Sequence, residues 1–546
     1  MLRGPAAWSA RRRDAVVLGI IAVLMLALLP MPLNADDSLY AVGAKELAHG
    51  ATYYRDLWDI KQPGIYLWFR LARVFGAGFV GVQVLNLVWT LALSVVLQRG
   101  SRGWFRHAWM SSALPLLVAA PYAITARPYS LQVEWLVQLP LAATLVLAAG
   151  ARQRPVARLA LAGLCGGVVL AFKLLLAPLV AIALIMGLVR ARRAGARPGA
   201  LAGAALAAGA AALVAPAGTI LPLLAHDSWG LVWRTTTLYP RLVGKLPSQH
   251  TGDLLEQMLR RSVRLYSLTL TLGLVGLAGQ WHDRRRGAGR RPEGTPVLTA
   301  AVLVVAAVLL ISVQRWSDYQ PYLLIGPVGI LSAEGIDRLA LRARELTHER
   351  GEAGQPGARR SVGQRRARIA VVVAAAVALG APAAAQAVLL VKATLGHGAG
   401  ITASGRLGWR EEVSPEYADV HSEASAVRTV VPGGSTYIVG NPLYYTELGR
   451  EQALEINGFI PGQLVGRQWQ ELTRELLRTR PEVVFVDKVS LPLIREAAPA
   501  FVAELVSDYT VVRDSSGISP RRGIWYVRRP GVAGGPAAPH ADGAHL

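Results

Sequence analysis

Apolar runs of about 20 residues recur along most of this chain, separated by short polar or basic segments, and about 20 helical apolar residues cross the hydrocarbon core of a bilayer. Runs of that length, a few of them shorter, occupy 15–33, 79–98, 108–125, 131–149, 158–173, 174–190, 199–224, 264–281, 295–313, 320–337 and 368–392. The pattern predicts a polytopic α-helical membrane protein with about 11 transmembrane helices. Lys173 interrupts the stretch 158–190, and arginines flank both of its ends, so it is read as two helices. Small residues crowd 200–215 and 371–387, which suits close approach of helix backbones.

Beyond residue 395 the period changes. Alternating runs at 435–440, 482–487 and 523–527 predict strands, and 468–478 and 491–506 predict helices, so 396–530 is expected to be a small α/β domain. Residues 531–546, full of Gly, Pro and Ala, are expected to be a disordered tail. The segment 341–368 is rich in Arg, Gly and Glu with no apolar period, and is expected to be a solvated, partly disordered linker.

Composition supports the membrane reading: 53% of the 546 residues are hydrophobic and 17% charged. The net charge of +23 would suggest phosphate neutralisation on nucleic acid if the protein were soluble. Its arginines instead cluster at 11–13, 99–106, 152–158, 190–197, 284–291 and 338–368, in alternate loops, which is the positive-inside pattern. Nucleic acid is therefore not an expected partner. The register puts the N-terminus inside the cytoplasmic membrane, and 34–78, 122–130, the turn at Lys173, 225–263, 314–319 and the C-terminal domain outside. The first run is too long for a signal-peptide core and is read as an uncleaved helix. Cys165 is the sole cysteine, which excludes an intramolecular disulfide and a cysteine zinc cage.

Candidate chemistry gathers on the outer loops. Asp36 and Asp37 follow the first apolar run, where a carboxylate escapes the roughly 2.5–3.5 kcal/mol cost of a charge at mid-bilayer. Tyr53-Tyr54-Arg55-Asp56-Leu57-Trp58-Asp59-Ile60-Lys61-Gln62-Pro63-Gly64 comes next. Each residue has a bland reading as well. The acidic pair could cap a helix, Lys61 could snorkel, Lys173 could end its helix, and Arg315 beside Trp316 and Tyr319 could anchor an aromatic belt. Gln132 and Glu134 open the fourth span as cavity residues or as a cap. Asp56 and Asp59 are acceptor contacts or loop scaffold.

Asn34-Ala35-Asp36-Asp37-Ser38-Leu39-Tyr40, the stretch ending at Gly50, and Asp59-Ile60-Lys61-Gln62-Pro63-Gly64 together resemble the first outer loop of the GT-C glycosyltransferases. The similarity is to the branch with protein O-mannosyltransferases and the aminoarabinose transferase of lipid A. The glycine-rich 163–173, ending in Lys173, and Arg315-Trp316-Ser317-Asp318-Tyr319-Gln320-Pro321-Tyr322 resemble later parts of the same family. The resemblance implies transfer of a sugar, with inversion, from a polyprenyl-phosphate donor to a lipid, glycan or protein acceptor. It also implies Asp36 as general base with Asp37 in support, and Lys61, Lys173, Arg315 and Arg241 toward the donor phosphate. Tyr54, Asp56, Asp59, Glu134 and Tyr319 would line the substrate cavity. The chemistry is consistent: a carboxylate can take the proton of an incoming hydroxyl, and cations gather the charge of a departing phosphate.

Other classes find no motif. The chain contains no Gly-x-x-x-x-Gly-Lys-Ser/Thr, no His-Glu-x-x-His and no Gly-x-Ser-x-Gly. No cofactor is expected; a divalent cation could bind Asp36 and Asp37, but the lysines suit a metal-free clamp. A transporter or flippase of a lipid-linked or anionic substrate is the competing reading, and it predicts mid-membrane charges and paired broken helices.

Overall fold

The computed structural model describes residues 5–76, 78–125, 131–224, 229–239, 251–285, 295–314, 319–352, 384–385, 388, 391–398, 402–459, 461–512 and 522–534. Helix α1 (Pro5–Leu26) ends four residues before Pro30, whose ring would collide with the Leu26 carbonyl, so the last third of the expected first span is turn. Two helices that are not spans follow, α2 (Ala35–Ala48) and α3 (Pro63–Ala72). The body then continues as α4 (Phe79–Gly100), α5 (Ala108–Thr125), α6 (Val133–Leu136), α7 (Gln138–Ala149), α8 (Pro155–Phe172), α9 (Ala177–Arg193), α10 (Pro198–Leu224), α11 (Trp229–Trp233), α12 (Thr251–Arg285), α13 (Thr295–Val313) and α14 (Tyr322–Glu352).

Five helices are long and apolar enough to cross a membrane by length and composition among the described residues: Phe79–Gly100, Pro155–Phe172, Leu174–Arg193, Pro198–Leu224 and Pro296–Val313. Ala108–Ile124 and Val133–Ala149 are shorter apolar helices. The expected run 368–392 lies mostly outside the described residues. The break expected at Lys173 is present, with extended backbone (φ −160°, ψ 102°) between α8 and α9. The small residues of 200–215 act as anticipated, while those of 371–387 lie mostly outside the described residues. A Cβ at Gly163 or Gly167 of α8 would run into the backbone of Ala208 or Ala212 on α10, so the two helices touch along their main chains. One expectation fails in part: 341–352, the start of the segment read as linker, continues α14, because the run of Leu, Arg, Ala and Glu over 341–350 favours helix.

The C-terminal part holds α15 (Ala403–Val413), α16 (Pro415–Val430), β1 (Thr436–Val439), α17 (Leu443–Leu448), α18 (Gly466–Thr479), β2 (Val483–Asp487), α19 (Leu491–Ala497), α20 (Pro499–Asp508), β3 (Tyr509–Val511) and β4 (Gly523–Arg528). The sheet order is β1-β2-β4-β3, with β1 and β2 parallel and β4 antiparallel to both of its neighbours. Val484 and Val486 pack with Trp469, Leu472, Leu476 and Phe501, while Val483 and Phe485 face the other way toward Tyr444 and Trp525. Both faces are covered, hence the unbroken apolar run of β2. The helix expected over 491–506 is two, broken at Ala498 because the residue before Pro499 is driven out of the helical region. The end of the tail, 535–546, lies outside the described residues.

Candidate active site

Asn34, not the acidic pair, caps α2: its side chain accepts a hydrogen bond from the Asp37 amide at 2.9 Å. Asp36 and Asp37 are thereby placed in the first turn of α2 with their carboxylates available for other contacts. Asp36 meets Lys61 at 3.1 Å. Asp37 is fully buried; Gln132 donates to its Oδ1 at 3.4 Å, and its Oδ2 has no hydrogen-bond partner among the described residues. Burial pushes the Asp37 carboxyl well above the usual carboxylate range; the neighbouring Asp36 charge adds to that, and backbone amides at Asn34 and Leu131 oppose it.

Lys61 is held from several sides. Its ammonium lies 3.1 Å from Asp36 and 3.7 Å from Asp59, and it stands over the rings of Tyr40 and Phe459 at 5.3 and 5.5 Å. Burial works against its charge, but Asp59 and Asp36 outweigh burial and hold the ammonium above its ordinary pKa. Its carbonyl accepts from the hydroxyls of Tyr53 and Tyr54 at 3.0 and 2.9 Å, and Tyr66 donates to Asp59. Tyr54 adopts a left-handed φ of 70°, a conformation that side chains other than Gly seldom take, so the turn before Lys61 is strained in order to aim it.

Pro63 starts α3 at a position where its missing N–H is not needed. Gly64 is required by packing: a Cβ there would collide with the Ala171 carbonyl. That contact brings the Lys61 loop to the end of α8, one residue before the Phe172-Lys173 junction. Lys173 pairs with Glu134 at 2.7 Å, and Glu134 is almost completely buried.

At the level of the whole chain, the structure is similar to the crystal structure of ArnT from Cupriavidus metallidurans bound to undecaprenyl phosphate, with a TM-score of 0.56 and 15% identity over 97% of this chain and 100% of that one. Apo ArnT from the same organism matches with a TM-score of 0.51 and 17% identity over 94% of this chain and 97% of that one. The chain has the fold of the GT-C membrane glycosyltransferases. No protein-family model matches the sequence, and no curated protein does.

Within this GT-C fold the structure brings Asp36, Asp37, Asp59 and Lys61 into one cluster; Gln132 links Asp37 to the start of the Glu134 helix, and Glu134 carries Lys173. Tyr319 lies close enough to Tyr40 that ionising one phenol would disfavour ionising the other. Asp56 is directed elsewhere. It accepts from the Thr52 amide at 2.7 Å and from the Arg55 guanidinium at 2.8 and 2.9 Å, which closes the turn in which Tyr53 pairs with Leu57. Arg241 and Arg315 lie outside the described residues.

Sequence reasoning missed Asn457 and Phe459. The Trp58 amide donates to the Glu455 carbonyl at 2.9 Å, Asn457 donates to the Trp58 carbonyl at 2.6 Å, and the Phe459 amide donates to Asn457 Oδ1 at 3.1 Å. These bonds continue the edge of the C-terminal sheet onto the Lys61 loop and put the Phe459 ring beside the Lys61 ammonium. Nothing local in the sequence marks a partner about 400 positions away.

Proposed function

We propose that this protein is a glycosyltransferase of the cytoplasmic membrane that moves a sugar from a polyprenyl-phosphate donor to an acceptor hydroxyl on the outer face, with inversion at the anomeric carbon. The observation that carries the reading is the meeting of Asp36 of α2 and Asp59 of the following loop at Lys61, and the packing of that loop through Gly64 onto the end of α8 beside Lys173, within a fold whose ArnT representative is solved with undecaprenyl phosphate bound. Asp36 takes the acceptor proton as the acceptor oxygen attacks the anomeric carbon. The bond from that carbon to the phosphate oxygen breaks, and the electron pair leaves with the polyprenyl phosphate.

Lys61 and Lys173 meet the charge that develops on the departing phosphate. Both lysines are paired with carboxylates without donor, so an arriving phosphate competes for them and releases Asp36 from Lys61. Asp37, buried beside Asp36, keeps its proton to higher pH than a solvated Asp. The acceptor is a lipid, a glycan or a protein.

Membranes containing the full-length protein are to be supplied with radiolabelled polyprenyl-phosphate sugars and endogenous acceptor. Asp36→Asn is expected to lower transfer by roughly 10²–10⁴-fold, the usual contribution of a general base, while expression and thermal stability stay near the parent's. Equal transfer by the two proteins would sink the role given to Asp36.

A further inference from the structure

At the end of the helix bundle opposite the carboxylates lies a second built feature. Helix α4 starts beside the end of α3 and of α2, near Phe69, Arg73 and Lys45, and ends at Gly100, about 33 Å further on at 1.5 Å per residue. There a cavity of about 570 Å³ opens between the ends of α4, α7, α8 and α9. Four arginines line it: Arg99, Arg102, Arg158 and Arg190. No Asp or Glu is among its lining residues that belong to the described part of the chain. Its other wall is apolar, formed by Val95, Val96, Val146 and Leu147 and running along α4 and α7 toward the middle of the bundle.

Helix ends could explain some of these cations, since α4, α7 and α9 all terminate here. Each C-terminus carries about half a negative charge. Three such ends and the Asp14 carboxylate, 3.1 Å from Arg102, oppose four guanidinium groups, and the N-terminus of α8 adds about half a positive charge. The four guanidinium groups outnumber these opposing charges. Positive-inside bias accounts for arginines on this face, but it does not require them around one cavity, nor Arg190 at only 9% exposure. Gly150 is shaped to the same end: a Cβ on it would strike the Arg158 guanidinium, so its absence lets that group fold over the end of α7.

We propose that this cavity binds an anionic phospholipid, with the headgroup phosphate among Arg99, Arg158 and Arg190 and the acyl chains along Val95, Val146 and Leu147. A basic pocket at interfacial depth that continues as an apolar groove matches a headgroup joined to hydrocarbon, whereas free phosphate would have no use for the apolar wall. The site is separate from the transfer site and does not depend on the function proposed for it.

The test is native mass spectrometry of the full-length protein released from mixed micelles of phosphatidylglycerol and phosphatidylcholine. The parent is expected to retain phosphatidylglycerol selectively. Arg99→Gln combined with Arg158→Gln, both exposed positions, is expected to reduce that retention roughly thirtyfold, as for two cations removed from an anionic surface. Arg12→Gln with Arg13→Gln, an equal loss of charge on α1, is expected to leave it unchanged, and Arg99→Lys with Arg158→Lys to preserve most of it. Unchanged retention in the 99/158 glutamine variant overturns the site. So does an equal loss in the 12/13 variant, which would make the attraction diffuse. Displacement of the lipid by millimolar inorganic phosphate overturns the lipid assignment in favour of a free anion.

Discussion

Asp36 and Asp37 are adjacent in sequence and differ in every respect that chemistry uses. Asp36 faces an ammonium, while Asp37 is enclosed and has an oxygen with no partner among the described residues. Glu134 and Lys173 form the other charged contact near the Lys61 loop, and because Glu134 is buried the pair cannot be broken from one side without cost. Lys173→Met is expected to destabilise the protein by about 3 kcal/mol, the low end for a buried pair that loses one partner. Lys173→Met combined with Glu134→Gln should recover most of that stability and still bind donor poorly. Thermal denaturation and donor KM, measured on the two variants, separate structural pairing from phosphate binding. Of these residues the sequence marked Asp36, Asp37, Lys61 and Lys173, because charges beside apolar runs are costly and therefore conspicuous. It left Glu134 between a cap and a cavity residue, since only the distance to Lys173 distinguishes them.

Among the elements, the extended segment 452–458 does most to organise the site. It pairs with β1 on one side and with Trp58 on the other, so the loop carrying Lys61 is an extension of the C-terminal sheet. Asn457, 4% exposed, ties the Trp58 carbonyl to the Phe459 amide of its own segment through one side chain. Asn457→Ala is expected to cost about 1–3 kcal/mol, since it leaves a buried carbonyl and a half-buried amide without their partner. Hydrogen–deuterium exchange should then accelerate at least fivefold in 56–60 and in 455–459, with the bundle helices unaffected; unchanged exchange in 56–60 would mean that the loop is held by other contacts. The long apolar helices were legible because bilayer thickness imposes one length on all of them. Helices α15 and α16 were not read from the sequence, nor was the three-residue β3, whose pairing with β4 is its main support.

On the scale of the molecule, the bundle and the C-terminal domain are joined by polar groups that titrate. Glu46 of α2 is buried near Glu451 and Lys45, and burial, with the Glu451 charge adding, pushes its carboxyl up to about 7. Glu475 on α18 is likewise pushed up to about 7 by burial and by Glu455. Between the ordinary glutamate value of 4.5 and about 7 the unfolded chain loses protons that the folded chain retains, so these groups make stability fall as pH rises through that window and contribute no further slope above it. The melting temperature at about pH 5, relative to about pH 8, is therefore expected to be lower in Glu46→Gln/Glu475→Gln than in the parent, because the variant lacks this gain on acidification. A pH profile unchanged by the double substitution would remove both groups from the linkage. The sequence by itself determined a polytopic membrane protein with a small α/β domain and an acidic, lysine-bearing loop, because span length, arginine bias and motif spacing act over tens of residues. The tertiary structure alone decided that Phe459 and Asn457 reach that loop, that Glu134 holds Lys173, and that four arginines from three helices and the turn after α4 share one cavity. Those contacts join positions 39 to about 400 residues apart, and their energies depend on distance in space, which no local pattern of residues encodes.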